Sequence, residues 1–190
     1  SDGDRVPDEN GGLGYVLSET EAGADAPSID RPSGSDLRVL SYNVPTNDFE
    51  QSSLFEEDAQ PSYRRIFEAV GPDVIAFQEV YNETAAETEE VAESELGLPA
   101  GWDWEKQGRD LVLGSRYPIL DTHSIDGYEG YTSGAFLLDA EEALGSQLVV
   151  INMHPPCCNS GPEDGDPSSN VQRQQVVDGV GAFLRELKQG

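Results

Sequence analysis

Between residues 37 and 43 the chain alternates, with Leu37, Val39 and Ser41 on one side and Leu40 and Tyr42 on the other, the two-residue period of a β-strand. Both sides carry apolar residues, so the run reads as an inner strand. The period then changes: Tyr63, Ile66, Phe67 and Val70 recur at i, i+3, i+4 and i+7, with Pro61 before them and Gly71-Pro72 after. That spacing predicts an amphipathic helix that starts at the proline and stops at the glycine. Asp73 to Gln78 is a short apolar run between turn signals, which predicts a buried strand with Glu79 at its end. Residues 82–96 are acidic with few apolar positions and read as an exposed helix.

Further strands are expected over residues 102–106, 111–115, 119–125, 135–138 and 148–153. The last, Leu148-Val149-Val150-Ile151-Asn152-Met153, is apolar on both faces and is expected at the centre of a sheet. A final helix over 171–187 places Val176, Val177, Val180, Phe183, Leu184 and Leu187 along one stripe. Strand and helix signals in alternation point to an α/β or layered α+β domain, and no internal repeat interrupts them.

Residues 1–36 differ in texture. They are rich in Gly, Pro, Ser and acid around one apolar island, Leu13 to Leu17, and read as an acidic leader, a linker or a strand borrowed from a preceding module. Their opening, Asp2 to Glu9, resembles the end of an Asp-rich calcium repeat, so a Ca2+ site there is an alternative to a solvated linker. An extracellular or periplasmic location fits such an opening. The folded unit is expected over 37–190. A chain of 190 residues is the size of one domain, and it has no apolar run of the roughly 20 residues that span a bilayer.

Charge changes the picture more than composition does. Against 37 acidic residues stand 11 basic ones, a net charge of −26, and Lys106 and Lys188 are its two lysines. Such a surface repels nucleic-acid backbones at long range, which disfavours nucleic acid as a partner without excluding it, because a bound cation can invert the field inside a cleft.

Three polar residues end or follow strands that otherwise read as buried: Asn43, Glu79 and His154. A buried carboxylate costs several kcal/mol unless it is paired or metal-bound. Glu79 therefore calls for a cation, either an arginine such as Arg64 or Arg65 or a metal ion. Taken singly, Asn43 could cap a turn and His154 could be a satisfied core histidine.

Five blocks, taken in order, change that weighing: Leu37 to Val44, Arg65-Ile66, Pro72 to Val80, Ser115 to Ile119, and Val150 to His154. As a set they resemble the endonuclease/exonuclease/phosphatase superfamily over about residues 37–187. The resemblance implies a DNase I-like four-layer α/β sandwich, of which this chain supplies the N-terminal half. It implies that Glu79 binds a catalytic Mg2+ or Mn2+, that Asn43 helps position the metal and its water, and that His154 touches the scissile phosphate. The implied activity is a divalent-metal-dependent phosphoester hydrolase, whether phosphodiesterase, nuclease or phosphatase, working through metal-activated water. The alternative is a degenerate, non-catalytic binding or interaction module.

The family also uses a Gly-Asp-x-Asn strand end and a late Asp-His pair, and neither occurs in this chain. The chain alone is thus expected to be inactive, with the C-terminal half of the domain as a partner fragment or chain. Cys157 and Cys158 follow His154 closely. Their Cα atoms are about 3.8 Å apart across a trans peptide, so they form either a strained vicinal disulfide or two thiols; a zinc site with His154 lacks further soft ligands. Arg109, Arg116 and Arg173 are the remaining cations near candidate site loops, the last two read as structural, and His123 reads as a surface residue.

Overall fold

The computed structural model describes residues 5–7, 13–15, 36–47, 51–128, 131–156 and 169–189. Contacts divide the chain into Ser1–Asp30 and Arg31–Gly190. In the first unit, β1 (Arg5–Pro7) pairs antiparallel with β2 (Leu13–Tyr15). The remainder of the calcium-repeat-like opening, and both cysteines, lie outside the described residues.

The second unit begins with β3 (Val39–Asn43), a short β4–β5 ladder (Thr46–Asn47 with Gln51–Ser52) and a 3-10 turn at Ser53–Phe55. Helix α1 (Gln60–Val70) opens with Pro61 in its first turn, where a missing N–H costs nothing. It closes on Gly71 at φ 54°, a left-handed cap that glycine adopts without penalty. Strand β6 (Val74–Gln78) follows and is buried throughout. Helix α2 (Ala85–Ser94) starts with a capping box: the Thr84 hydroxyl accepts from Glu87 N, while the Glu87 carboxylate accepts from Thr84 N.

Then come β7 (Asp103–Gln107), β8 (Leu111–Ser115), β9 (Ile119–Tyr128), β10 (Tyr131–Leu138), the short α3 (Glu141–Leu144), β11 (Leu148–Met153) and α4 (Ser169–Leu187). Two sheets result, one of four strands in the order β3-β6-β8-β7 and one of three in the order β11-β10-β9. Strand β3 runs parallel to β6, and β8 antiparallel to it.

The period-2 alternation sorts β6 into two cores. Ile75 and Phe77 face α1 and α2, joining Phe67, Leu54, Leu96 and Trp104. Val74 and Ala76 face the second sheet, joining Leu113, Phe136 and Leu138. The Trp104 ring lies so close over Gly114 that a Cβ there would meet it at 2.5 Å. On the far side of the second sheet α4 stacks Phe183 on His123, centroids 5.0 Å apart. The order helix, sheet, sheet, helix makes four layers, an α/β sandwich such as the sequence resemblance implies. Among the described residues no helix is long and apolar enough to cross a membrane.

Three expectations need correction. Among the described residues the Leu37–Asn43 run is an edge strand, because β6 is its one lateral neighbour in the order β3-β6-β8-β7, and Val39 is 51% exposed. Strand β11 is likewise an end strand among the described residues and not central. The α4 stripe is half covered: Val176 is buried, but Val177, Leu184 and Leu187 are exposed.

Candidate active site

The parallel pair β3 and β6 brings its C-terminal ends together, with Asn43 opposite Gln78 in the ladder. Asn43 Nδ2 donates to Glu79 Oε1 at 2.9 Å. Glu79 itself has φ 71°, and among the described residues no other non-glycine residue has a positive φ. A glutamate held in the left-handed region costs on the order of 1 kcal/mol. The strain turns the carboxylate off the end of β6 towards Asn43 instead of along the strand.

The turn Gly108–Asp110 enters from the other side. Because β8 runs antiparallel to β6 with Phe77 opposite Val112, Asp110 falls opposite Glu79. Its carboxylate accepts Glu79 N at 3.2 Å, and its carbonyl accepts Val80 N at 3.1 Å.

His154 arrives from the second sheet, just past β11. Its Nδ1 lies 2.5 Å from Asp110 Oδ2, and its Nε2 lies 3.6 Å from Glu79 Oε1. The hydrogen bond to Asp110 raises the His154 pKa above the ordinary histidine value. Burial opposes that shift, the charges of Asp110 and Glu79 add to it, and Arg109 opposes it. With Nδ1 tied to a carboxylate, the ring presents Nε2 to the site.

A buried amide clasp fixes the spacing of the two sheets here. Gln78 Nε2 donates to Asn152 Oδ1 at 2.6 Å, while Asn152 Nδ2 donates to the carbonyls of Phe77 at 2.8 Å and Val112 at 3.3 Å. Asn152 sits two residues before His154 and Gln78 one before Glu79, so the clasp joins the two strands that carry the site.

All three predicted residues, Asn43, Glu79 and His154, therefore meet at one end of the sandwich. The arginines considered as partners for Glu79 are elsewhere: Arg64 donates to the carbonyls of Glu95 and Ser94, and Arg65 to Ser62. Arg116 pairs with the buried Asp73 at 2.7 Å, an acid as expected, whereas Arg173 donates to the amide of Asn170 on its own exposed helix face. Asp110 was not singled out from the sequence, although it opens the apolar run Leu111–Leu113 and so starts the strand paired to β6.

The donor set suits a hard cation that keeps most of its water. Among the described residues no group of three or more His, Cys, Asp and Glu forms a metal cage. Mg2+ needs none, since one or two carboxylates with waters and substrate phosphate complete its octahedron. Glu79 Oε2 and Asn43 Oδ1 have no hydrogen-bond partner among the described residues, which leaves two oxygens for such an ion. Zinc is a poorer fit, because it takes three or four protein ligands, mostly nitrogen and sulfur, and no such group exists among the described residues.

No family model and no curated protein matches the chain. Among solved structures it is similar to a humanized D. rerio TDP2 carrying 14 mutations, at 13% identity and a TM-score of 0.48, over 82% of this chain and 58% of that one. It is also similar to an endonuclease/exonuclease/phosphatase family protein from Leptotrichia buccalis C-1013-b, at 15% identity and a TM-score of 0.43, over 72% of this chain and 60% of that one. The chain spans less than two thirds of the length of either structure. With TM-scores below 0.5, neither likeness bears on the site.

Proposed function

We propose that the Asn43–Glu79–His154 cluster belongs to a divalent-metal-dependent phosphoester hydrolase and is the N-terminal part of its site. The observation that carries the reading is the convergence at one strand end of a strained carboxylate, an amide and a histidine locked by a second carboxylate. When bound, Mg2+ or Mn2+ supplies Lewis acidity at the phosphoryl oxygen and makes bound water more acidic. Glu79 would hold the ion, with Asn43 fixing the orientation of that carboxylate. Asp110 is a positioning residue: it holds the imidazole so that Nε2–H points at a phosphoryl oxygen as negative charge builds there.

This chain has no residue matching the family's general base, so the proposal includes a C-terminal half of the domain as partner. An apolar groove of about 220 Å3 supports that part of the reading; it is bordered by Val149 on the end strand β11 and by Phe183 and Leu187 of α4. The substrate is a phosphoester, and the net charge of −26 disfavours long nucleic acid.

The test is the intact mass of every polypeptide that co-purifies with the chain from its source. Mg2+-dependent hydrolysis of bis(p-nitrophenyl) phosphate by the same sample follows, with Glu79→Ala as control. A second polypeptide, together with activity that the substitution abolishes, supports the reading. A single species inert with both Mg2+ and Mn2+ sinks it and leaves the non-catalytic binding module.

A further inference from the structure

The described cations of this acidic domain mostly have their heads committed. Lys106 donates to the carbonyls of Tyr81 and Glu83, Arg116 is paired with Asp73, and Arg64 is bonded to two carbonyls. Arg109 is different. Its guanidinium lies over the Tyr81 ring, 4.8 Å from the centroid. Among the described residues it makes no ion pair, although Asp110 is its neighbour in sequence.

The stack is held from both sides. Tyr81 lies two residues beyond Glu79, and its carbonyl accepts Lys106 Nζ at 2.9 Å. Arg109 sits in the Gly108–Asp110 turn, which is tied to the same loop by the bond from Val80 N to Asp110 O. A guanidinium held over a ring and in no ion pair keeps N–H donors available, and its planar fork can grip two oxygens of one phosphate. Arg109 adjoins Asp110, whose carboxylate holds His154 Nδ1, which places it beside the site and not on a remote surface.

We propose that Arg109, parked on Tyr81, is the site's phosphate clamp, binding the non-bridging oxygens of an anionic phosphoryl group through its guanidinium edge. The inference rests on the phosphoesterase reading and adds to it the residue that binds the substrate's anion.

The probe is inorganic phosphate, titrated into the full 190-residue chain at constant ionic strength while NMR follows the Arg109 Nε–Hε signal. The clamp predicts a saturable shift of that signal. It also predicts that Arg109→Ala weakens phosphate binding about 10- to 100-fold, the worth of a hydrogen bond to a charged group. Arg109→Lys keeps the charge but not the fork, so it should restore only part of the affinity. An Arg109 signal that stays fixed while phosphate shifts other residues overturns the clamp, and that readout on the wild-type chain needs no variant to fold. Titrating Mg2+ separately, with Asn43 Nδ2 as reporter, distinguishes the two failures. A response at Asn43 without one at Arg109 sinks the clamp alone. Phosphate capture at Arg109 without any Mg2+ response keeps the clamp and sinks the hydrolase.

Discussion

The two sheets contribute to one site but are built differently. In the four-stranded sheet, β6 and β8 are buried at every position, between helices on one face and the second sheet on the other. In the three-stranded sheet, β11 ends the strand order, and Val149 on its outer face is 39% exposed although α4 packs on the same side. The covered sheet supplies Glu79 and Asp110, while the half-covered one supplies His154. Stability and the geometry of Glu79 and Asp110 therefore belong mainly to the first sheet, and the second holds its histidine in place through the Gln78–Asn152 clasp.

The largest expected effect breaks the first sheet. Phe77 has no exposed surface and packs between Phe67 and Trp104. Phe77→Ala should cost about 3–5 kcal/mol, whereas Val149→Ala should cost less than about 1 kcal/mol because little of its burial is lost. Urea midpoints of the two variants check this, and equal losses would remove the distinction between the sheets.

Next is the clasp. Asn152→Ala removes the 2.6 Å acceptor of Gln78 Nε2, which keeps Ala76 O, and the side-chain donor to the carbonyls of Phe77 and Val112. A loss of about 2–3 kcal/mol is expected. The His154 ring signals should move as well, since the strand carrying that ring loses its tether to β6. A destabilised protein whose His154 resonances stay unchanged would show that the clasp does not position the site.

A smaller effect concerns the backbone at Glu79. Glu79→Gly and Glu79→Ala both remove the carboxylate, but only glycine relieves the left-handed φ of 71°. The glycine variant should be more stable than the alanine variant by about 1 kcal/mol, read from thermal midpoints. Equal midpoints would mean that the conformation carries no strain.

Smallest is the capping box of α2. Thr84→Ala should cost about 1 kcal/mol. The hydrogen bonds from Thr84, backbone first and hydroxyl second, hold the Glu87 carboxyl below the ordinary glutamate range. A depressed folded pKa gives stability that is present above the ordinary value and is lost as pH falls through the folded one. The midpoint gap between wild type and Glu87→Gln should therefore persist at pH 7 and close below about pH 4. A gap that is constant with pH would contradict the box.

Much of this arrangement was legible in the sequence, for reasons that particular residues show. Pro61 and Gly71 bracket α1 because one lacks an N–H and the other tolerates a left-handed turn. Asn43, Glu79 and His154 announce themselves as polar groups at the ends of apolar runs. Edge and centre were not legible: the apolar faces of β3 and β11 report what lies above and below a strand, whereas its lateral neighbours depend on sheet order. Asp110 escaped because its role comes from register, Phe77 against Val112, which places it opposite Glu79. That signal was within reach, since an acid immediately before a buried strand faces the same desolvation cost as Glu79. The Gln78–Asn152 clasp needed both sheets packed before either amide could be seen to have a partner.

In the proposed site Glu79, oriented by Asn43, holds a divalent cation beside His154. The most direct test is a Mn2+ titration of the chain, read by paramagnetic broadening of side-chain and backbone NMR signals, with Mg2+ as competitor. The account predicts that substoichiometric Mn2+ first broadens Asn43, Glu79 and His154, that Mg2+ reverses this, and that Glu79→Ala abolishes it. Broadening spread evenly over the acidic surface and indifferent to Glu79→Ala would contradict it.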